Sequence, residues 1–376
     1  MDAKVGDKII GYESYPSRNV VALMEISRAS DGEAVFFKKI EEFEHPVAYK
    51  DLRQCPELKD LEVFISPTGS LFKVTEDEFN FIMDKVREHN PVAYTKENFL
   101  SEVYMPEADY DRVSALLKYK KNIILQGAPG VGKTFAAKRL AYAMMGKKKD
   151  ENIDLIQFHQ SYTYEDFMMG YKPTEQGFEL RYGSFYRFCK RAAEHPDEPF
   201  FCIIDEINRG NLSKIFGELL MLLERNYRDQ PITLAYTDEP FAVPSNVYLI
   251  GMMNTADRSL SIIDYALRRR FSFFDMKPAF ESIGFMQQQL IAGNVTFDRL
   301  INRIEELNDE ISREPSLGPG FCIGHSYFSN PEGEWTIDKL RLIVDYDILP
   351  MLREYWFDDQ DKLEHWESAL HEVFND

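Results

Sequence analysis

The chain has 376 residues, a length that favours two or three domains over a single small core. Its net charge of −19 argues against strong non-specific DNA binding over the whole surface, because a negative surface repels a polyphosphate. The sequence has neither the run of about 18 apolar residues that a membrane span requires nor a signal-peptide pattern at its start, so we expect a cytoplasmic protein without membrane contact.

The first 90 residues are predicted to form a small α+β segment. Short strands are predicted at residues 8–12, 19–27 and 33–40. A helix follows, and Thr75 and Glu78 have the spacing of a capping box at its start. We expect this segment to end near residue 90 and a linker to follow over residues 91–110.

From residue 111 to residue 279, short apolar runs alternate with helical patterns. Runs that are apolar on both sides are typical of parallel strands covered on both faces by crossover helices. The five runs are residues 122–125, 153–158, 200–204, 247–252 and 271–274. Two inserted segments, GYKPTEQGFELRYGSF and ITLAYTDEPFAVPS, are predicted to be hairpins. The fold class is therefore α/β, with a five-stranded parallel sheet.

Residues 280–376 are predicted to be mostly helical, and their end is acidic. Residues 354–376 contain eight acidic side chains against one lysine. A solvated helix face explains this pattern, and so does a docking surface for a neighbouring subunit. The sequence leaves both interpretations open.

The segment NIILQGAPGVGKT matches the phosphate-loop pattern GxxxxGK[ST] between a predicted strand and a predicted helix. Glycines let successive backbone N–H groups turn towards a phosphate, and the helix N-terminus adds its positive end. The lysine reaches the β- and γ-phosphates, and the threonine hydroxyl ligates Mg²⁺. The predicted nucleotide-binding residues are Gly127, Ala128, Pro129, Gly130, Val131, Gly132, Lys133 and Thr134.

Two acidic residues end the predicted strand in FFCIIDEINRGN. Asp205 is placed to hold Mg²⁺ and its waters, and Glu206 to polarise the attacking water as the catalytic base. Asn254 follows the next predicted strand, at the edge where ligands bind in open α/β sheets. Its amide is placed to hold the water and the γ-phosphate in line. Asp257 and Arg258 follow on the same loop.

Three consecutive arginines, Arg268, Arg269 and Arg270, precede the last predicted strand. Such a run is commonly a solvated face or a set of partners for acidic residues. In this architecture one of them is also placed to cross a subunit boundary as an arginine finger, which requires a ring or another oligomer.

The strings GAPGVGKT, IDEINRGNLSKIFGELLMLLE and MNTADRSLSIIDYALRRRF together resemble the McrB family, the AAA+ motor subunits of type IV, modification-dependent restriction systems. The likeness extends over about residues 110–376 and includes GFCIGHSYF and ILPMLREYWFDD. It implies an AAA+ P-loop fold with a helical lid, and a hexameric GTP-hydrolysing ring that works on DNA with a McrC-like nuclease subunit.

The same resemblance implies roles for individual residues. Asn254 and Asp257 become sensors, Arg209 acts in cis near the γ-phosphate, and Arg269 and Arg270 become finger candidates. Guanine preference comes from the family alone, because the chain has no NKxD motif and its spacing does not separate GTP from ATP.

The N-terminal stretches VGDKIIGYESYPSRNVVALMEISRA and PELKDLEVFISPTGSLFKVTEDEFNFIM resemble the later part of an EVE domain, a PUA-like fold. Such modules hold a flipped, modified base in an aromatic pocket. The sequence has no Trp before Trp335, so we do not expect a complete Trp-walled pocket here. Tyr12, Tyr15, Phe36 and Phe37 are pocket candidates, but aromatic residues in such strands more commonly belong to an ordinary core, which is the favoured interpretation for each of them.

Two alternatives compete with a restriction motor. A MoxR-like, ATP-dependent remodelling chaperone shares the loop and the acids, but MNTADRS and GHSYF favour the motor. A nucleotide-gated binding module without turnover is disfavoured by Glu206 and Asn254, because binding alone does not need a base or a water-holding amide.

Overall fold

The computed structural model describes residues 4–14, 18–28, 35–65, 71–174, 177–257, 265–329 and 335–375. The chain divides into two compact units, Met1–Ala93 and Tyr94–Asp376. Among the described residues, no helix has both the length and the apolar character needed to cross a membrane. Tyr15 and Arg258 lie outside the described residues.

The first unit is built on a three-stranded antiparallel sheet in the order β1–β2–β3. Its strands are β1 (Lys8–Glu13), β2 (Asn19–Arg28) and β3 (Phe36–Ala48). β3 continues eight residues beyond the predicted end at residue 40. The reason is pairing with the whole length of β2, since Val20 lies opposite Val47. Every second residue of such a strand faces the core, and Phe43 and Val47 are buried there.

In the described part of this unit, three α-helices accompany the sheet: α1 (Tyr49–Leu52), α2 (Glu62–Ile65) and α3 (Glu76–His89). Thr75 and Glu78 form the predicted capping box at the start of α3. The candidate pocket aromatics differ in their surroundings. Tyr12 packs against Tyr49 with ring centroids 5.8 Å apart, Phe36 lies under the Arg28 guanidinium, and Phe37 is exposed.

The second unit contains the predicted five-stranded parallel sheet, in the order β12–β4–β11–β8–β5, which confirms the α/β class. Two antiparallel pairs, β6–β7 and β9–β10, lie outside that sheet as the two predicted hairpins. The strands are β4 (Asn122–Gly127), β5 (Ile153–Gln157), β6 (Met169–Thr174), β7 (Gly177–Tyr182), β8 (Phe200–Asp205), β9 (Ile232–Thr233), β10 (Pro240–Phe241), β11 (Val247–Asn254) and β12 (Ser272–Met276).

Helices cover both faces of this sheet, as the apolar runs predict. In β4, Ile123 and Leu125 belong to one apolar cluster and Ile124 to another, because successive side chains of a strand point to opposite faces. The described α-helices of the second unit as a whole are α4 (Lys96–Glu102), α5 (Glu107–Lys120), α6 (Lys133–Met145), α7 (Tyr164–Phe167), α8 (Ser184–Glu194), α9 (Leu212–Phe216), α10 (Tyr265–Arg268), α11 (Ile283–Ala292), α12 (Val295–Arg313), α13 (Ile337–Ile343), α14 (Leu349–Tyr355) and α15 (Gln360–Glu372).

The segment predicted as a linker contains ordered structure. α4 lies within it and has a capping box formed by Thr95 and Asn98. Phe99 of this helix and the neighbouring Tyr94 are almost fully buried in the apolar cluster that also contains the helices after β12. Burial of two large aromatic side chains anchors the segment to the second unit.

The helices after β12 form the lid. α12 is amphipathic and buries Leu300, Ile304 and Leu307. The acidic end of the chain is half buried rather than wholly solvated, because Trp366 of α15 packs inside and donates to Glu310 at 3.1 Å. The acidic side chains on the outer face of α15 remain exposed.

Candidate active site

The phosphate loop joins the end of β4 to the start of α6. β4 ends at Gly127 and α6 begins at Lys133, so the loop lies at the carboxyl edge of the sheet. Gly132 has φ of +73°, in the left-handed region that favours glycine, and it caps the helix N-terminus. This backbone turns the amides at the start of α6 outward, which is the arrangement that binds a phosphate.

Lys133 folds back onto its own loop. Its Nζ donates to the carbonyl oxygens of Gly127 at 3.0 Å and Ala128 at 2.9 Å. Burial lowers the pKa of Lys133 to about 8, and the carboxylates of Glu206 and Asp205 act in the opposite direction. A buried ammonium whose nearest partners are neutral carbonyls gains from an incoming anion, so the site favours a polyphosphate electrostatically.

The two acids lie where β8 ends. Asp205 is the last residue of β8, and its Oδ1 accepts from the Glu206 N–H at 3.0 Å. Glu206 has φ of 49° and ψ of 45°, a left-handed conformation that costs a non-glycine residue about 1 kcal/mol. Strain at such a position is typical of a side chain whose direction matters for function.

The strand order places Asn254 between the loop and the acids. β11 separates β4 from β8, whereas β5, which comes between them in sequence, lies at the edge of the sheet. Glu206 is therefore two strands away from the phosphate loop rather than on the neighbouring strand. Asn254 ends β11 in register with Gly127, so its amide lies between the loop and the acids.

Glu206 and three other polar side chains form one cluster. Asn254 Nδ2 donates to its Oε1 at 2.9 Å, and Arg209 Nε lies 3.1 Å from its Oε2 as an ion pair. Arg209 Nη2 also contacts Asp257 Oδ2 at 3.1 Å. The structure thus brings together four predicted residues from two segments of the chain, the one after β8 and the one at the end of β11. Both oxygens of the candidate base are held by partners within the chain.

The two predicted Mg²⁺ ligands, Thr134 and Asp205, suit a cation that is bound jointly by the protein and by the phosphates of a nucleotide. Thr134 is exposed in the first turn of α6, and Asp205 is half buried at the end of β8. Both offer oxygen atoms, which Mg²⁺ prefers, and Mg²⁺ sites in nucleotide enzymes use one or two protein ligands together with phosphates and waters. In the described part of the chain, no three His, Cys, Asp or Glu side chains form a metal-holding group.

The arginine run lies at the amino edge of the sheet, at the opposite end of the strands from the phosphate loop. Arg268–Arg270 precede β12, whose far end, Met276, pairs with Gly127. Arg270 forms an ion pair with Glu224 at 2.9 Å, whereas Arg269 is exposed. The fold therefore keeps these side chains away from the site of the same chain.

Two residues near the site were missed by the sequence reasoning. Thr255 Oγ1 donates to the carbonyl oxygen of Gly320 at 3.0 Å, which ties the loop after β11 to the lid. His325 of the lid lies beside the phosphate loop, with Nε2 3.6 Å from where a Cβ on Gly132 would stand. The strings MNTADRS and GFCIGHSYF contain both residues, and these strings are the signal in the sequence that points to them.

Comparison with known proteins agrees with this geometry. Residues 122–271 match the AAA domain of the dynein-related subfamily, and residues 299–364 match the α-helical lid domain of McrB. The chain is 48% identical over 293 residues to the type IV methyl-directed restriction enzyme EcoKMcrB subunit of Escherichia coli (strain K12), covering 74% of this chain and 63% of that protein. It is 29% identical over 205 residues to the type II restriction enzyme BsuMI component YdiS of Bacillus subtilis (strain 168), covering 43% of this chain and 59% of that protein.

Proposed function

Because the chain is McrB-like, with an AAA domain followed by the McrB helical lid, we propose that it is the NTP-hydrolysing motor subunit of a McrBC-like restriction complex. It would act on modified DNA, as part of a defence against foreign DNA, with cleavage by a McrC-like partner nuclease. The chain spans 63% of the length of the first of these relatives, so the activity and the partners are part of this proposal.

One observation carries the proposal: the candidate base is surrounded by a sensing amide and an arginine at the same sheet edge as the phosphate loop. Asn254 and Arg209 hold the two oxygens of Glu206, and Asp257 holds Arg209. A site that only bound nucleotide would not need a carboxylate with this support. The arrangement favours turnover over a nucleotide-gated binding module.

The residues divide the work of hydrolysis among them. The loop amides and Lys133 bind the β- and γ-phosphates, while Thr134 and Asp205 would hold Mg²⁺, which neutralises phosphate charge when bound. Glu206 takes a proton from the attacking water, and Asn254 keeps that water in line with the γ-phosphate. Arg209 must release Oε2 for the carboxylate to reach the water.

Arg269 is the better finger candidate of the two arginines implied by the family. It is exposed, whereas Arg270 is mostly buried and paired with Glu224 within the chain. A finger at the amino edge of one sheet reaches a nucleotide only at the carboxyl edge of a neighbouring copy. Turnover by this route therefore requires the homo-oligomeric ring, which we propose to be a hexamer.

GTP is the proposed substrate because the first relative above is a McrB subunit, and ATP is the alternative to test. A McrB motor would hydrolyse GTP preferentially and faster with its McrC-like partner. A MoxR-like chaperone would prefer ATP and would not respond to that partner. The match of residues 299–364 to the McrB lid supports the motor.

We place DNA contact in the first unit or in the partner. The chain as a whole carries a net charge of −19, which repels the phosphates of DNA over most of its surface. Residues 1–90, within the first unit, would be the EVE-like module. Residues 111–279 would be the AAA+ core and residues 280–376 the lid, in a cytoplasmic protein.

The test is the variant Glu206→Gln, which keeps the shape of the side chain and its contact with Asn254 but removes the base. We expect turnover to fall by about 10³-fold, the loss typical of removing a general base, while nucleotide binding is retained. Turnover is measured as phosphate release at saturating GTP or ATP, with and without the partner. Binding is measured with a fluorescent analogue.

The matched control is Glu367→Gln, which removes a carboxylate from an exposed ion pair with Arg353. This variant should keep wild-type turnover, because surface substitutions usually change little. Wild-type turnover by Glu206→Gln would refute the assignment of the base. Double-strand cleavage by the purified chain alone would refute the assignment of the nuclease to a partner.

A further inference from the structure

A short segment of the lid closes directly on the phosphate loop. The Gly324 N–H donates to the carbonyl oxygen of Pro129 at 3.2 Å, and the Ser326 N–H donates to that of Gly130 at 2.8 Å. A Cβ on Gly324 would stand 2.0 Å from the carbonyl carbon of Gly130, so only glycine permits this approach. The lid and the loop are therefore joined backbone to backbone next to the nucleotide site.

His325 lies inside this junction with its ring direction fixed. The ring packs edge-on against Tyr104 and Phe280, with centroids 5.4 and 6.4 Å away. Its Nδ1 accepts from the Ala279 N–H at 3.1 Å, which places the ring proton on Nε2. Burial lowers the pKa of His325 to about 4, so the imidazole is neutral at physiological pH.

The remaining donor, Nε2–H, faces the loop. Nε2 lies 3.6 Å from the position of a Cβ on Gly132, the residue that caps the N-terminus of α6. No residue in the described part of the chain accepts a hydrogen bond from it. The ring as a whole is buried, with 6% of the residue exposed, but Nε2 itself keeps access to solvent beside the loop, so a bound ligand can reach this donor.

We propose that His325 is a nucleotide-binding residue of the lid, which donates a hydrogen bond from Nε2 to the nucleotide on the phosphate loop. The inference rests on the nucleotide site proposed above and adds a contact that reports occupancy to the lid. Because the imidazole is uncharged, the contact binds without adding positive charge to a site that already contains Lys133 and Arg209.

The experiment compares two substitutions that separate the two ring nitrogens. His325→Asn keeps an acceptor for the Ala279 N–H but is too short to replace Nε2. His325→Gln carries its amide nitrogen near the position of Nε2. Dissociation constants are measured by titration with fluorescent GTP and ATP analogues, and KM and kcat by phosphate release. The melting temperature of each variant without nucleotide reports folding.

The Asn variant should bind nucleotide about 10-fold more weakly, the usual effect of losing one hydrogen bond to a ligand that carries charge. Its KM should rise while kcat at saturation stays near wild type, a split that a merely structural role would not produce. The Gln variant should recover most of the affinity. Titration of mono-, di- and triphosphates would then locate the acceptor: a loss confined to the triphosphate places it on the γ-phosphate.

The control is Tyr327→Phe, in the same segment, whose hydroxyl contacts Met351 rather than the loop. It should bind nucleotide like the wild type. If His325→Asn also binds like the wild type while Lys133→Ala does not bind, the inference fails and the proposed function stands. If the wild type itself binds no nucleotide, the proposed function fails. If the Asn variant is unstable, the Gln variant decides, and weak binding by a stable Gln variant overturns the inference.

Discussion

The two edges of the parallel sheet hold their polar side chains in different ways. At the amino edge, Asn122 is fully buried and its amide donates to the carbonyl oxygens of Leu223 at 2.7 Å and Arg270 at 3.0 Å. Its Oδ1 accepts from Arg228 at 2.6 Å. These contacts join distant segments of the chain, while Nε and Nη1 of the buried Arg228 have no hydrogen-bond partner among the described residues.

At the carboxyl edge, the polar side chains have contacts that a ligand would replace. Lys133 donates to loop carbonyls, Glu206 sits in a strained left-handed conformation, and His325 keeps one donor without a described acceptor. Strain and replaceable partners cost stability, and proteins retain them where function requires them. One sheet therefore separates stability and chemistry between its two edges.

The largest effect is expected at the amino edge, at the exposed Arg269. Arg269→Ala should lower partner-stimulated turnover by about 10³-fold, as loss of an arginine finger does, without changing nucleotide affinity. Mixing the variant with Glu206→Gln subunits should restore part of the turnover, because each supplies the group that the other lacks. Phosphate release and fluorescent nucleotide titration measure the two quantities.

The matched control for this prediction is Arg268→Ala, the neighbouring exposed arginine. It should change turnover by no more than about twofold, the usual range for a surface substitution. Equal losses at Arg268 and Arg269, or full activity of Arg269→Ala, would contradict a finger role for Arg269.

The second effect concerns the buried polar contacts of Asn122 at the amino edge. Asn122→Ala should lower the free energy of unfolding by about 3 kcal/mol, because it leaves buried carbonyls and the Arg228 guanidinium without partners. Burial already lowers the pKa of Arg228 to about 10. Thermal unfolding measures the change, and the melting temperature should fall by about 6 °C or more for a unit of this size.

Asn226→Ala is the control, since Asn226 is exposed near the same edge and its change should lie within about 0.5 kcal/mol. A melting temperature of Asn122→Ala equal to that of the wild type would mean that this edge is not held as described. Loss of nucleotide affinity without loss of stability would also contradict the separation of roles.

The smallest effect is a pH dependence at Lys133. Its lowered pKa of about 8 means that the free chain loses the lysine charge as pH rises through 8. The triphosphate binds the charged form, so affinity should be nearly constant between pH 6.5 and 7.5 and about 10-fold weaker at pH 9, one unit above that pKa. Calorimetric titration at pH 8.5 in buffers of different ionisation enthalpy should show proton uptake on binding. Equal dissociation constants at pH 7 and 9 would contradict a perturbed Lys133.

Much of the second unit was predictable because its signals are local. Runs such as FFCII and VYLIGMM are apolar on both sides, so they identify buried parallel strands without further information. The phosphate loop was predictable for the same reason, since Gly127, Gly132 and Lys133 lie close together in sequence, between the end of β4 and the start of α6. The capping box of Thr75 and Glu78 is confirmed as well.

The remaining features depend on contacts between distant parts of the sequence. The position of β11 between β4 and β8 depends on the crossover connections between strands. The residues of a single strand do not indicate which strand lies beside it. The approach of Gly324 to Gly130, and with it the position of His325, depends on how the lid packs on the core. The extension of β3 to Ala48 depends on the length of its partner β2.

The most direct measurement of the central claim is nucleotide binding by Lys133→Ala beside the wild type and Glu206→Gln. The account predicts that the wild type binds GTP and hydrolyses it, that Glu206→Gln binds without hydrolysis, and that Lys133→Ala does neither. Lys147→Ala, a lysine paired with Glu198 outside the site, should behave as the wild type. Binding and turnover by Lys133→Ala at the wild-type level would contradict the account.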